Sequence, residues 1–254
     1  NRQNVVIDYL SYDLLDEFFL KHKFDYDNVS VVIMAGGEGV RMEPFTKILP
    51  KPLIPIKDKT IIDRIIEKFT KISCVDFHIT VNYKSNIIKA YFSELNHDYN
   101  INFIYEKKPL GTAGSLYFLK NKFKDPFFVT NCDILIKHNY GNIYNYHIQN
   151  NYDITLVGAK KEYIIPYGNC QLDKDGLLLK ITERPKYDFV INTGLYVLSP
   201  DVLKLIPKDK FFHITDLIRE AKKKKKRVHV FLVNSDTWID IGQWTEYRKA
   251  VKNL

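Results

Sequence analysis

From residue 29 onward, apolar segments of strand length alternate with segments of helical periodicity, and this alternation restricts the possible folds more than any other feature. Val29-Ser30-Val31-Val32-Ile33-Met34-Ala35 is a continuous apolar run that stops at Gly36-Gly37. Such a run suits a short strand buried on both faces. Ile61, Ile62, Ile65, Ile66 and Phe69 then recur at helical spacing, which predicts an amphipathic helix over 60–72. Phe77 to Val81 follows as a strand, Ile87 to Phe92 as a helix and Ile101 to Tyr105 as a strand. Ala113 to Leu119 reads as a helix and Phe127 to Thr130 as a strand. The pattern implies an α/β fold with a mostly parallel, Rossmann-like sheet flanked by helices on both faces.

The second half is looser. Strand-like runs at Ile154–Ala159, Leu177–Ile181, Val190–Leu198 and Val228–Val233 are separated by longer polar loops. Three helices are expected there, at 140–150, 213–225 and 243–252, around a mixed extension of the sheet. No linker rich in Gly, Pro or Ser interrupts 29–254, so this stretch is expected to be one catalytic domain. Residues 1–28 stand apart, with a strand-like Val5–Leu10 and a helix-like Tyr12–Leu20. One strand and one helix cannot bury enough surface alone. They are expected to be an extension that either packs on the main domain or is the remnant of a larger upstream domain.

Composition narrows the class. Hydrophobic residues make up 45% and charged residues 27% of the 254 residues, which excludes disorder for the chain as a whole. No apolar run reaches the ~18 residues of a membrane span. Three well-separated cysteines (Cys74, Cys132, Cys170) make neither a disulfide framework nor a zinc site, and a reducing cytosol is the simplest setting. The net charge of +8 admits nucleic acid, anionic membrane or a phosphate-rich small molecule. The run Lys222–Arg227 is read as the solvated end of a helix, so neither nucleic acid nor membrane is expected as a partner.

The strongest motif is Ala35-Gly36-Gly37-Glu38-Gly39-Val40-Arg41-Met42 with Lys51-Pro52 downstream. Glycines let backbone N–H groups approach an anion. Arg41 can grip phosphate oxygens with a fork of donors, and Lys51 adds a second cation. Neither the Walker loop nor the dinucleotide fingerprint has this spacing. Pro109-Leu110-Gly111-Thr112-Ala113-Gly114 is a turn of small residues opening a helix. Asp133 follows a buried strand, at the end of a parallel sheet where α/β folds bind ligands. Asp240 lies in Trp238-Ile239-Asp240-Ile241-Gly242. Mg²⁺ takes few carboxylates and completes its shell with substrate phosphate and water, so this pair suits it.

Together these motifs resemble the sugar-1-phosphate nucleotidylyltransferases, over roughly residues 30–252. The resemblance implies a GT-A-like fold and transfer of a nucleoside monophosphate from an NTP to a sugar 1-phosphate, with Mg²⁺ as cofactor and pyrophosphate as leaving group. It implies that Ala35, Gly36, Gly37, Gly39, Asn82, Pro109, Gly111 and Thr112 hold the nucleotide, and that Arg41, Lys51 and Asp133 are catalytic. It makes Asp133 and Asp240 the metal ligands. Tyr167, Gly168, Glu183, Arg184, Asn192, Thr193 and Gly194 would line the sugar-phosphate site. Three positions depart from the family pattern: Val40 replaces a Thr, Cys132 replaces a Gly, and Arg184 replaces a Lys. Cys132 is read as a small buried residue rather than a nucleophile, since no positioned His accompanies it.

The runs around Tyr167-Gly168, Asn192-Thr193-Gly194 and Trp238–Gly242 most resemble the bacterial guanylyltransferase branch, whose members can carry CBS regulatory modules upstream. Residues 1–28 are similar to the end of such a module. GTP is thus the favoured nucleotide, with a hexose or hexosamine 1-phosphate as acceptor and surface glycan synthesis as the use of the product. The rivals are the same chemistry with CTP, UTP, dTTP or a non-sugar phosphate, and a silent homologue that binds nucleotide sugars. Homo-oligomerisation is left open.

Overall fold

The computed structural model describes residues 26–253; the proposed remnant over 1–28 therefore falls almost wholly outside the described residues. Strand β1 (Ser30–Met34) is an interior strand of a seven-stranded sheet. Its side chains alternate between two apolar layers. Val31 and Ile33 belong to one layer, and Val32 and Met34 to the other. A strand covered on both faces must be apolar at every position, which explains the unbroken run in the sequence.

The remaining strands are β2 (Pro55–Ile56), β3 (Lys59–Thr60), β4 (Asp76–Val81), β5 (Asn100–Tyr105), β6 (Phe127–Asn131), β7 (Ile134–Ile136), β8 (Ile154–Ile164), β9 (Asn169–Leu172), β10 (Leu178–Thr182), β11 (Lys186–Leu198), β12 (Val228–Asn234) and β13 (Trp238–Asp240). The main sheet runs in the order β12-β8-β11-β6-β1-β4-β5. Every neighbouring pair is parallel except those made by β11, which is antiparallel to both β6 and β8. The sheet is thus mixed and mostly parallel, as the alternation implied. The ends of β1, β4, β5 and β6 consequently open toward one edge, and Ala35, Asn82, Glu106 and Asp133 follow them.

The helices are α1 (Phe45–Ile48), α2 (Ile61–Thr70), α3 (Ser85–Ser93), α4 (Tyr140–Gln149), α5 (Ile214–Lys223) and α6 (Trp244–Asn253). Helix α2 starts at a capping box, in which the Thr60 hydroxyl accepts from the Asp63 N–H and the Asp63 carboxylate accepts from the Thr60 N–H. Its buried face, Ile61, Ile62, Ile65, Ile66 and Phe69, is the periodic set seen in the sequence. Phe69 meets Phe128 and Tyr140 edge-on, at centroid distances of 5.1 and 4.8 Å. It thereby seats the helix on the strands that carry the site. The basic run of 222–227 ends α5, with Lys223 paired to Glu220 and Lys226 to Asp153.

Three expectations change. The segment expected as a helix over 113–119 is a 3-10 helix, Gly114–Leu119. Leu116 and Leu119 are both buried, and three residues per turn puts them on one face. An unforeseen 3-10 helix, Pro200–Leu205, joins the second half. The run near 177–181 forms β10, which pairs with β9 as a separate hairpin instead of joining the main sheet. Strands β8 and β11 pair on beyond β12, from Lys186↔Ile164 to Phe189↔Lys161, and carry that hairpin on an exposed arm.

Phe69→Ala is expected to cost about 3–5 kcal/mol, as large-to-small changes in aromatic cores do. Urea unfolding of the variant would show a lower midpoint with an unchanged slope.

Candidate active site

The first turn after β1 is built for close approach. Gly39 has φ +70°, and a Cβ there would stand 2.9 Å from Thr46 Cγ2 and 3.1 Å from Lys51 Cβ. Gly36 is excluded from bearing a side chain for a different reason. A Cβ on it would sit 2.8 Å from an oxygen of Glu106. Nothing lies within 4 Å of the corresponding point on Gly37, so that glycine leaves room in the cavity rather than serving packing. Ala35 is buried behind the turn, and its N–H donates to the Thr80 carbonyl at 3.0 Å.

Two adjoining cavities open at this edge of the sheet. The larger, about 400 Å³, is lined by Gly36, Gly37, Gly39, Arg41, Lys51, Glu106, Pro109, Leu110, Gly111, Thr112, Asp133 and Phe211, among others. The smaller, about 200 Å³, is lined by Arg41, Asn131, Asp133, Asn192, Thr193, Gly194, Tyr196, Trp238 and Asp240, with Ile134. Arg41, Asn131 and Asp133 form walls of both. A reacting group held at that shared wall would be within reach of ligands in either cavity.

The two aspartates meet although 107 positions separate Asp133 from Asp240 in the sequence. Strand β13 pairs antiparallel with β7, and the Ile241 N–H donates to the Asp133 carbonyl at 2.7 Å. Gly242 follows, its N–H donating to Asp240 Oδ1 at 2.7 Å. A Cβ on Gly242 would lie 2.7 Å from Asp240 Oδ1, 3.2 Å from Asp133 Oδ2 and 3.5 Å from Lys51 Nζ. Two carboxylates and an ammonium thus surround a cradle that a single carbon would fill. Lys51, only 6% exposed, forms an ion pair with Asp133. Burial pushes the Asp240 carboxyl above the usual range. The Gly242 N–H opposes that rise and Asp133 adds to it.

This cradle fits Mg²⁺. Among the described residues no group of three His, Cys, Asp or Glu side chains assembles as a metal cage. Two carboxylates with the rest of the shell left to phosphate and water is the arrangement Mg²⁺ uses with nucleotides. Cys132 beside it is no nucleophile at neutral pH, because burial pushes its thiol up to about 12.

The Asn192-Thr193-Gly194 segment interrupts the β8–β11 ladder, whose register shifts between Asn192 and Tyr196. Gly194 has φ +91°, and a Cβ on it would strike Asn131 Nδ2 at 2.6 Å. Asn192 Nδ2 donates to the Tyr196 hydroxyl at 2.7 Å, and Thr193 Oγ1 donates to the Val157 carbonyl at 2.9 Å. The bulge turns this segment into the smaller cavity.

Not every expected residue reaches a cavity wall. Asn82 Nδ2 donates to the Glu106 carbonyl at 2.6 Å, tying the ends of β4 and β5 together. Tyr167, Gly168, Glu183 and Arg184 lie exposed on the arm, outside the walls of both cavities. The arm does bring the two motifs together: a Cβ on Gly168 would be 3.1 Å from Glu183 Oε2.

Glu106 was not foreseen. It is 8% exposed, and its carboxylate accepts the Leu110 N–H at 3.1 Å. Burial pushes its carboxyl above the ordinary range, with the Leu110 N–H acting against that shift. The available signal was its position immediately after β5, at the carboxyl end of a parallel strand.

The nucleotidyl transferase family model matches residues 30–254. The chain belongs to the nucleotidyl transferase family. Curated relatives include the mannose-1-phosphate guanyltransferase of Schizosaccharomyces pombe, 31% identical over 86% of this chain and 62% of that protein. The enzyme of the same name from Pichia angusta is 32% identical over 84% of this chain and 60% of its own length. The chain thus spans about 60% of the length of these relatives. Among solved structures, HddC from Yersinia pseudotuberculosis complexed with GMP-PN superposes with a TM-score of 0.68 at 25% identity, covering 88% of this chain and 98% of that one. A putative glucose-1-phosphate thymidylyltransferase from Bacillus anthracis, 18% identical, covers 88% of this chain and 94% of its own with a TM-score of 0.69; it shares the fold.

Two outcomes are expected of the cradle. Lys51→Met leaves two facing carboxylates with no ammonium and should lower stability by roughly 3 kcal/mol, as unpaired buried charge does; urea denaturation measures this. Gly242→Ala places a methyl between the carboxylates and should weaken Mn²⁺ binding in the presence of GTP, followed by calorimetric titration.

Proposed function

We propose that the chain transfers GMP from GTP to a hexose 1-phosphate of the mannose type, releasing pyrophosphate and forming a GDP-sugar. The observation that carries the choice of base is Glu106 on the wall of the larger cavity. A carboxylate offers two adjacent acceptors. Guanine presents two adjacent donors on one edge, N1–H and the 2-amino group, and matches them. Uracil and thymine present one donor flanked by carbonyl oxygens, which the carboxylate would repel. The guanyltransferase names of the relatives and the GMP-PN complex of HddC agree with this choice.

In this reading the triphosphate lies along Gly36–Gly39 toward Arg41 and Lys51, and the sugar phosphate occupies the smaller cavity. An oxygen of the sugar phosphate attacks the α-phosphorus, and pyrophosphate leaves on the opposite side. No side-chain nucleophile is needed; positioning and charge neutralisation do most of the work. Asp133 and Asp240 would hold Mg²⁺, which polarises the α-phosphoryl group and screens its charge. Arg41 steadies charge growing on the pyrophosphate, and Lys51 is poised beside Asp133 to engage the phosphates. Asn192, Thr193 and Gly194 face the sugar phosphate. Tyr167, Gly168, Glu183 and Arg184, on the arm rooted beside that bulge, are the residues assigned to the sugar in this reading. A cytosolic site of action fits these substrates, and no helix among the described residues is long and apolar enough to cross a membrane. The convergence of Arg41, Lys51, Asp133 and Asp240 favours an active enzyme over a silent homologue.

Pyrophosphate release assayed over four nucleoside triphosphates with mannose 1-phosphate should be fastest with GTP. Glu106→Gln exchanges a charge-assisted acceptor for an amide donor and should lower kcat/KM for GTP by about 10- to 100-fold, the range for losing a hydrogen bond to a charged group. The same variant should narrow the gap between GTP and UTP. A wild-type preference for UTP would contradict the assignment of the base.

A further inference from the structure

Gly111 is expected to serve the nucleotide, but both it and Gly114 also have a packing role against protein. A Cβ on Gly111, where φ is +78°, would lie 2.8 Å from the Phe212 carbonyl oxygen, and one on Gly114 would lie 2.7 Å from the Lys210 carbonyl oxygen. The two glycines let the loop before α5 approach to backbone contact. Hydrogen bonds then fasten it there. The Phe212 N–H donates to the Leu110 carbonyl at 2.9 Å, and the Phe212 carbonyl accepts from the Ala113 and Gly114 N–H groups at 2.9 and 3.0 Å. The Ile214 N–H donates to Thr112 Oγ1 at 3.0 Å.

This frame presents Phe211. Its side chain stands on the wall of the larger cavity and is 62% exposed. His213 packs perpendicular to the ring, with centroids 4.7 Å apart, and holds it upright. Val40, 61% exposed, and Pro109 also stand on this wall, but Val40 belongs to the glycine-rich turn and neither carries an aromatic face. An exposed phenyl ring on a backbone pinned by four hydrogen bonds is costly to leave in water and well placed to cover a flat ligand.

We propose that Phe211 stacks on the nucleobase and so acts as a nucleotide-binding residue for the transferase reaction. The proposal rests on the reading of the larger cavity as the nucleoside triphosphate site. Stacking adds affinity for any base and complements Glu106, which discriminates at the base edge. Gly111 and Gly114 then act indirectly, by letting the loop that carries Phe211 lie against the turn.

The test compares GTP with inorganic tripolyphosphate, which has the charge but no base. Calorimetry on wild type, Phe211→Ala and Phe211→Trp gives both affinities. Loss of one base–aromatic stack corresponds to about 5- to 150-fold in affinity. Phe211→Ala should lose GTP affinity within that range, keep tripolyphosphate affinity and keep its thermal midpoint. Its KM for GTP should rise while kcat and the KM for sugar phosphate hold. Phe211→Trp should bind GTP as wild type does, and its added fluorescence should respond to GTP and not to tripolyphosphate. Unchanged GTP affinity in Phe211→Ala, or equal loss of both ligands, overturns the stacking role and leaves the cavity assignment standing. A wild-type chain that binds tripolyphosphate but gains nothing from the base overturns both.

Discussion

The site depends on two carboxylates held face to face. Asp133 follows a buried parallel strand and Asp240 ends a three-residue strand far along the chain, and the β7–β13 pairing brings them together around Gly242. Like charges at this spacing repel, and partial burial deepens the cost. A cation must accompany them, and in the protein by itself Lys51 fills that role through its pair with Asp133. The glycine-rich turn follows from the same demand. Gly39 adopts its left-handed conformation directly against the Lys51 stem, so the glycine-rich loop and the lysine that balances the carboxylates are packed as one unit.

This coupling explains why the two cavities share Arg41, Asn131 and Asp133. Phosphoryl-group transfer needs the attacking and leaving groups on opposite sides of one phosphorus atom. On the proposed function, a common wall carrying Arg41 and the Asp133 carboxylate would supply that place without a nucleophile of the protein's own. The antiparallel strand β11 is the other structural requirement. Inserted between β6 and β8, it delivers its Asn192–Gly194 bulge next to Asn131, where a continuous parallel sheet would have no such feature.

Much of this was legible in the sequence because burial leaves periodic traces. The β1 run is apolar at every position since both faces are covered, and the α2 stripe repeats because only one face is. The turn that lines the larger cavity was visible through its glycines, and the carboxylates through their places after apolar runs. The arm was misleading for a physical reason. Leu177, Leu178, Leu179 and Ile181 have the composition of a core strand, yet all are exposed, so hydrophobicity suggested a main-sheet element where only hairpin pairing exists. Glu106 was hidden because a single glutamate between a strand and two lysines reads as solvated surface. Its carboxylate lies against Gly36, seventy positions earlier in the chain, which no local pattern records. The roles of Gly111 and Gly114 were hidden likewise, since their contacts come from a loop about a hundred residues downstream.

Lys51 pairs with Asp133 in the protein by itself, and the proposed function requires it to yield that place when nucleotide and metal arrive together. Mn²⁺ binding measured by electron paramagnetic resonance, with and without GTP, tests it directly. Weak binding to the protein alone and strong binding once GTP is present, with Lys51→Met binding Mn²⁺ more tightly than wild type in the absence of GTP, is the predicted result. Equally strong binding of Mn²⁺ by the wild-type protein without nucleotide would contradict it.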